Sequence, residues 1–263
     1  MYHKGYSICY DEDMVQLVGI LNVTPDSFSD GGKFLDAHAA IAQAEKLFND
    51  GAVWVDIGAE STRPNAVILN DDQEWERLEP ILKTLIPKYP GRISLDSYHP
   101  ATIKKAFEIG PVIINDVTSF DDPTMQELAV SLQTTVIISH LPGGMTIQEA
   151  HEQTPISTVG QVKDELLARA KMLEEASLSR DNIILDPGIG FGKTPQVNQQ
   201  LLTFASLVPD YKVMIGYSRK RFLGENRMER APNLRAGKIA IKSGAAYLRV
   251  HDVAGHAQLL LAA

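Results

Sequence analysis

Cysteine is nearly absent: Cys9 is the only one in 263 residues. No internal disulfide can form, which fits a reducing compartment. Basic residues are in deficit, with 25 Lys and Arg against 33 Asp and Glu and a formal net charge of −8. That balance excludes a broad nucleic-acid-binding face, but it leaves room for a local positive site that takes a small anion. No apolar run approaches the ~18 residues of a membrane span. The opening MYHKGYSICYDEDM has none of the apolar core of a secretion signal. The expectation is a cytoplasmic protein with neither membrane nor nucleic acid as a partner. Linker and low-complexity stretches are also missing, so one domain over residues 1–263 is expected.

A nucleotide loop is missing too, although LDPGIGFGKT (residues 185–194) comes close. A Walker loop places a glycine five residues before Gly-Lys-Thr. Counting back from Gly192, that position holds Pro187. The dinucleotide fingerprint fails as well, because Gly188, Gly190 and Gly192 alternate and the third glycine comes one residue early.

What the chain does have is eight short, continuous apolar runs: VQLVGILNV, AVWVDIGA, RISLDS, PVIINDV, TTVIISH, NIILDPG, KVMIGYS and AYLRVHDV. Continuous rather than alternating hydrophobicity is the mark of parallel strands covered on both faces. Helical spacing fills the gaps, over 35–50, 72–88, 100–109, 123–132, 159–176, 195–207, 234–242 and 253–261. Eight strands alternating with eight helices predict an α/β fold, the (β/α)8 TIM barrel, over a doubly wound open sheet. Residues 1–14 precede the first unit and read as a short hairpin-like extension turning near Asp11-Glu12-Asp13.

A barrel places its active site at the C-terminal ends of the strands. The polar residues there are Asn22, Asp56 with Glu60, Asp96, Asn115-Asp116, His140, Asp186, Ser218-Arg219-Lys220, and Arg249 with His251. Asp96 and Asp186 read either as caps for the next helix or as acceptors facing a cavity. Two carboxylates and the Asn115 amide suit the amino-amidine edge of a planar heterocycle, with Lys220 donating to the same ring. Asn22, Arg63, Arg249 and His251 suit a phosphate or diphosphate, and the Asn22 oxygen suits Mg²⁺. The segment 24–32, with Phe28 and Asp30, reads as a mobile lid.

The stretches GILNVTPDSFSDGGKF, DIGAESTRP, SLDS, INDV, LDPGIGFGK, YSRKRFLG and LRVHDV occur in order from Gly19 to Val253. With them the chain closely resembles the dihydropteroate synthase family. The resemblance implies displacement of diphosphate from (7,8-dihydropterin-6-yl)methyl diphosphate by 4-aminobenzoate, giving 7,8-dihydropteroate with Mg²⁺ as cofactor. It implies a pterin pocket at Asp96, Asn115, Asp186, Lys220 and Arg249, and a diphosphate and metal site at Asn22, Arg63, Arg249 and His251. It also implies a 4-aminobenzoate pocket at Thr62, Pro64, Phe28, Phe191 and Ser218, competition by sulfonamides there, and a homodimer formed through the C-terminal helices. Under the resemblance the glycines after Asp186 let backbone approach the pterin, Lys193 is not a phosphate lysine, and Asp30 stands near the developing cation. The match departs after the fifth strand. The family's His-Met-x-Gly-x-Pro is replaced by His140-Leu141-Pro142-Gly143-Gly144-Met145, so residues 141–156 are expected to be shaped differently. A methyltetrahydrofolate-dependent methyltransferase domain and a pterin binder without synthase activity are the alternatives.

Overall fold

The computed structural model describes residues 14–23, 33–60 and 68–261. The predicted hairpin-like extension lies outside them. Eight parallel strands form a closed barrel in sequence order. They are β1 (Gln16–Asn22), β2 (Trp54–Gly58), β3 (Ile93–Asp96), β4 (Ile113–Asp116), β5 (Val136–Ser139), β6 (Ile183–Asp186), β7 (Lys212–Ile215) and β8 (Tyr247–Val250). Closure is made by β8 against β1, with Val18 opposite Arg249.

Residues two apart on a strand share a face, and this alternation divides the apolar residues into two sets. Outward residues such as Val55, Leu95, Ile114, Ile138, Leu185 and Leu248 join the helices in the main core. Inward residues Val18, Ile113, Ile137, Ile184, Met214 and Tyr247 pack with one another inside the barrel, and Trp54 stacks on Tyr247 at 4.5 Å. Two positions further along five of the strands the inward residue changes character. Trp54 gives way to Asp56, Ile113 to Asn115, Ile137 to Ser139, Ile184 to Asp186 and Tyr247 to Arg249. The interior is thus an apolar plug with a polar layer above it, at the strand ends.

The helices are α1 (Lys33–Asn49), α2 (Asp71–Lys88), α3 (Pro100–Ile109), α4 (Pro123–Leu132), α5 (Glu149–Glu152), α6 (Val159–Glu175), α7 (Pro195–Gln200), α8 (Arg230–Lys242) and α9 (Val253–Leu261). Local sequence starts several of them. Asn70 and Gln73 form a reciprocal capping box at α2, and Thr158 and Gln161 form another at α6. Asp122 caps α4, where Pro123 occupies a first-turn position that needs no N–H partner. No helix among the described residues is long and apolar enough to cross a membrane.

Two expectations are corrected. The helix expected over 195–207 ends at Gln200, and residues 201–207 continue as a 3₁₀ segment interrupted at Thr203. Leu201, Leu202, Phe204 and Ala205 are all buried there, and a three-residue turn puts 201 beside 204 and 202 beside 205. The helix expected from 234 begins at Arg230, because Pro232 is tolerated in a first turn. Residues 141–156, where the family motif is replaced, contain the short helix α5.

Candidate functional site

A cleft of about 1010 Å³ opens above the polar layer and is walled by Asn22, Glu60, Asp96, Ser218, Lys220, Arg249 and His251, among others. Below it, a cavity of about 70 Å³ lies among Asp96, Asn115, Asp186, Lys220, Arg249 and Phe191. The sequence grouped Asp96, Asn115, Asp186 and Lys220 as one ring-binding set, the resemblance added Arg249, and the fold brings all five around one space. Asn22, Arg249 and His251 from the anion-binding set share the upper cleft. Arg63, Thr62, Pro64, Phe28 and Asp30 lie outside the described residues.

Asp56 organises this floor, a role that sequence reasoning missed. Its fully buried carboxylate accepts from Ser94 Oγ at 2.5 Å, from Asn115 Nδ2 at 3.0 Å and from Arg249 Nε at 2.6 Å. Arg249 Nη2 then donates to Asp96 Oδ2 at 2.6 Å. One guanidinium bridges two carboxylates, which fixes it in place at the bottom of the cleft. The available signal was register, since Asp56 lies beside Ser94 and Asp96 beside Asn115 in adjoining strands.

Burial sets the charges. Asp96 is pushed up to about 7 by desolvation, with Arg249 opposing and the Asp56, Glu74 and Asp116 charges adding to the rise. Asp186 is also raised by burial, against the pull of Lys220 and the Gly188 N–H, which donates to Oδ1 at 2.8 Å. Lys220 is lowered to about 8 by burial, with Asp186 holding it up. Desolvation would lower Arg249, but Asp56 and Asp96 outweigh it and hold the guanidinium above its ordinary range. Ser218 Oγ lies 2.9 Å from His251 Nδ1, so the ends of β7 and β8 are tied at the cleft wall.

Three strand-end groups serve the scaffold. Asp116 points to the outer side, where its carboxylate accepts from Thr118 N at 2.7 Å and Phe120 N at 3.1 Å. Burial still raises it to about 6. His140 is buried, with Nε2 3.1 Å from Glu165 Oε2, and desolvation pushes it down to about 2. Glu60 reaches the cleft but is held by Tyr98 Oη at 2.5 Å and Leu69 N at 3.0 Å.

The glycines of the loop after β6 were expected to let backbone approach a bound ring, and two of them admit the neighbouring chain. A Cβ on Gly188 would stand 2.0 Å from His140 O, and one on Gly192 would stand 2.5 Å from Pro142 Cγ. Both glycines have a φ of +60°, a conformation that favours residues without a Cβ. Lys193 is buried in backbone carbonyls, in keeping with its exclusion as a phosphate lysine. Lys220 donates to Ile189 O, and its Nζ lies 5.1 Å from the Phe191 ring centroid. The divergent segment 141–156 folds over Phe191, where Leu141, Ile147, Ala150 and Val117 form a small apolar cluster. The residues that replace the expected motif therefore still supply an apolar wall.

A family model described as "Pterin binding enzyme" matches residues 18–251. Among curated proteins, the dihydropteroate synthase of Haemophilus influenzae is 36% identical over 261 residues, covering 96% of this chain and 94% of that protein. The Bacillus subtilis dihydropteroate synthase is 34% identical over 264 residues, covering 96% and 88%. Among solved structures, the Yersinia pestis dihydropteroate synthase in a sulfonamide drug complex superposes with a TM-score of 0.87 at 29% identity, covering 100% of this chain and 98% of that one. The Xanthomonas albilineans dihydropteroate synthase in complex with 7,8-dihydropteroate gives 0.81 at 31% identity, covering 95% and 93%.

Proposed function

The chain belongs to the pterin-binding enzyme family, with dihydropteroate synthases as its relatives, and we propose how its cleft performs their reaction. It condenses (7,8-dihydropterin-6-yl)methyl diphosphate with 4-aminobenzoate, giving 7,8-dihydropteroate and diphosphate. The observation that carries this reading is the convergence of Asp96, Asn115, Asp186, Lys220 and Arg249 on one small cavity beneath a larger cleft.

The reaction breaks the C–O bond between the pterin methylene and diphosphate and forms a C–N bond to the amine, which gives up a proton. The breaking bond is allylic to an electron-rich ring, so the protein need not supply a covalent nucleophile. Its contribution is position and charge. In this reading Asp96, Asn115 and Asp186 take the amino-amidine edge of the pterin and Lys220 donates to the ring. Arg249, braced by Asp56 and Asp96, lies against the ring with its charge directed at the leaving group, alongside Asn22, His251 and Arg63. Ser218 and Phe191, with Phe28, Thr62 and Pro64, form the 4-aminobenzoate side, where sulfonamides compete.

Mg²⁺ is the proposed metal. No cluster of three or more His, Cys, Asp or Glu among the described residues is placed to hold an ion. Asn22, at the cleft wall, would hold the ion through its carboxamide oxygen, an oxygen donor of the kind that Mg²⁺ takes. Bound there, the ion would neutralise charge on the departing diphosphate.

The proposal extends to a homodimer in the cytoplasm. Exposed Ile239 on α8 and Leu261 on α9 favour the C-terminal helices as the contact, and a single cysteine suits a reducing compartment. Diphosphate release with Mg²⁺, measured with and without 4-aminobenzoate in wild type and Lys220→Ala, tests the function. Release that needs 4-aminobenzoate and collapses in the variant is the expected result. Pterin binding without release would favour a binder that has lost synthase activity.

A further inference from the structure

Lys193 closes the GFGK segment, and its side chain is turned into the protein. Its Nζ donates to Phe191 O at 2.8 Å, to Gly188 O at 2.9 Å and to His140 O at 3.3 Å. An ammonium carries three donors and no acceptor, so donors and carbonyls match one to one. Two of these carbonyls belong to the loop after β6 and the third ends β5. Two further polar groups of the loop are engaged by side chains. Ile189 O accepts from Lys220, and Gly190 N donates to Asn198 Oδ1 at 2.7 Å. The carbonyls on either side of Ile189 and Gly190 are thus drawn inward to Lys193, which leaves the Ile189 carbonyl facing Lys220. The ring of Phe191 is carried on the same tether.

Burying an ammonium is costly unless its hydrogen bonds are made. Desolvation and the nearby Lys220 charge press Lys193 well below its ordinary range, and only the Asp186 and Glu165 charges oppose them. We propose that Lys193 is a positioning residue for both substrates. Its three carbonyl bonds fix the 188–191 loop, so that Lys220 stands at the pterin side and Phe191 at the 4-aminobenzoate side.

This inference rests on the reading of the cleft as a synthase site, which wild-type diphosphate release tests separately. Steady-state constants are measured for Lys193→Gln and Lys193→Met, with Lys220→Met as comparator and the active fraction titrated. The expected result is a rise of roughly tenfold in KM for both substrates, as for loss of hydrogen bonds from a charged group, whereas Lys220→Met raises KM for the pterin alone. Both constants within about twofold of wild type, with only the melting temperature or the active fraction lowered, would leave Lys193 a purely structural residue. If neither Lys193 variant folds, the wild-type enzyme labelled with ¹⁵N-lysine decides. A protected ammonium resonance that persists in Lys220→Met, and so belongs to the other buried lysine, should move on adding the pterin diphosphate and again on adding 4-aminobenzoate. A neutral amine, or an ammonium resonance indifferent to both ligands, overturns the proposal.

Discussion

Arg249 and Asp56 stand 193 residues apart in the chain and 2.6 Å apart in the barrel. Their pair sits below the cleft, on strands that flank β1 from either side. Asp56 touches no space that a substrate enters, yet it holds Arg249 and Asn115, which do.

Replacing Asp56 tests that arrangement. Asp56→Ala leaves a buried guanidinium with one carboxylate instead of two, which should cost about 3–5 kcal/mol in chemical unfolding. Asp56→Asn keeps an acceptor and should fold better. Its KM for the pterin diphosphate should rise while its KM for 4-aminobenzoate stays near wild type. Equal changes in both constants would argue against a floor that serves the pterin.

Pterin binding should depend on pH from both sides. Asp96 offers both oxygens as acceptors only when ionised, since protonation turns one of them into a donor, and its value is raised to about 7. Affinity should therefore fall as pH drops below about 7, approaching tenfold per unit. Lys220 donates fully only when protonated, and its value is lowered to about 8, so affinity should also fall as pH rises above about 8. Calorimetric titration across this range should show a maximum between the two, and Asp96→Asn should lose the acid limb. A flat profile would mean that neither group changes charge on the way to the complex.

Two glycines with similar backbones should respond differently to alanine. Gly188→Ala places a methyl against the His140 carbonyl, a backbone atom that has no rotamer to escape into. The cost should be at least ~3 kcal/mol, from overpacking added to a positive φ. Gly91, at a φ of +70°, has nothing within 4 Å of its Cβ position, so Gly91→Ala should cost only about 1 kcal/mol. Urea denaturation of the pair checks this, and equal losses would remove the role assigned to the close approach.

Asp30→Ala should lower turnover more than it lowers pterin affinity, if that carboxylate faces the developing cation. Single-turnover rates beside equilibrium binding separate the two. Unchanged turnover would end that assignment.

Much of this architecture is legible along the chain because it is local. A continuous apolar run such as NIILDP already encodes a strand covered on both faces, and the polar residue at its end already marks the active face. Asn70, Asp122 and Thr158 announce their helices by the N–H groups that they cap. What escapes is whatever depends on a partner far away in sequence. Asp56 and Asp116 look alike as strand-end carboxylates, and only strand register and pleat send one inward to Arg249 and the other outward to its own loop. Pro187 already rules out Lys193 as a Walker lysine, but its actual partners escape the sequence, because the residue just after β5 supplies one of its carbonyls. The turn at Thr203 escapes for a similar reason, because the choice of a tighter helix is made by the core beneath it.

The polar layer inside the barrel also bears on the order in which the molecule can be made. Asp56 is contributed by the second strand and its cation by the eighth. The first seven strands have been synthesised before Arg249 emerges from the ribosome, and until then the second strand carries a carboxylate that has not met this counterion. Sealing the seam between the eighth strand and the first also neutralises that charge. The nascent chain thus meets this electrostatic reason to close only with its eighth strand, in the step that also completes the substrate site.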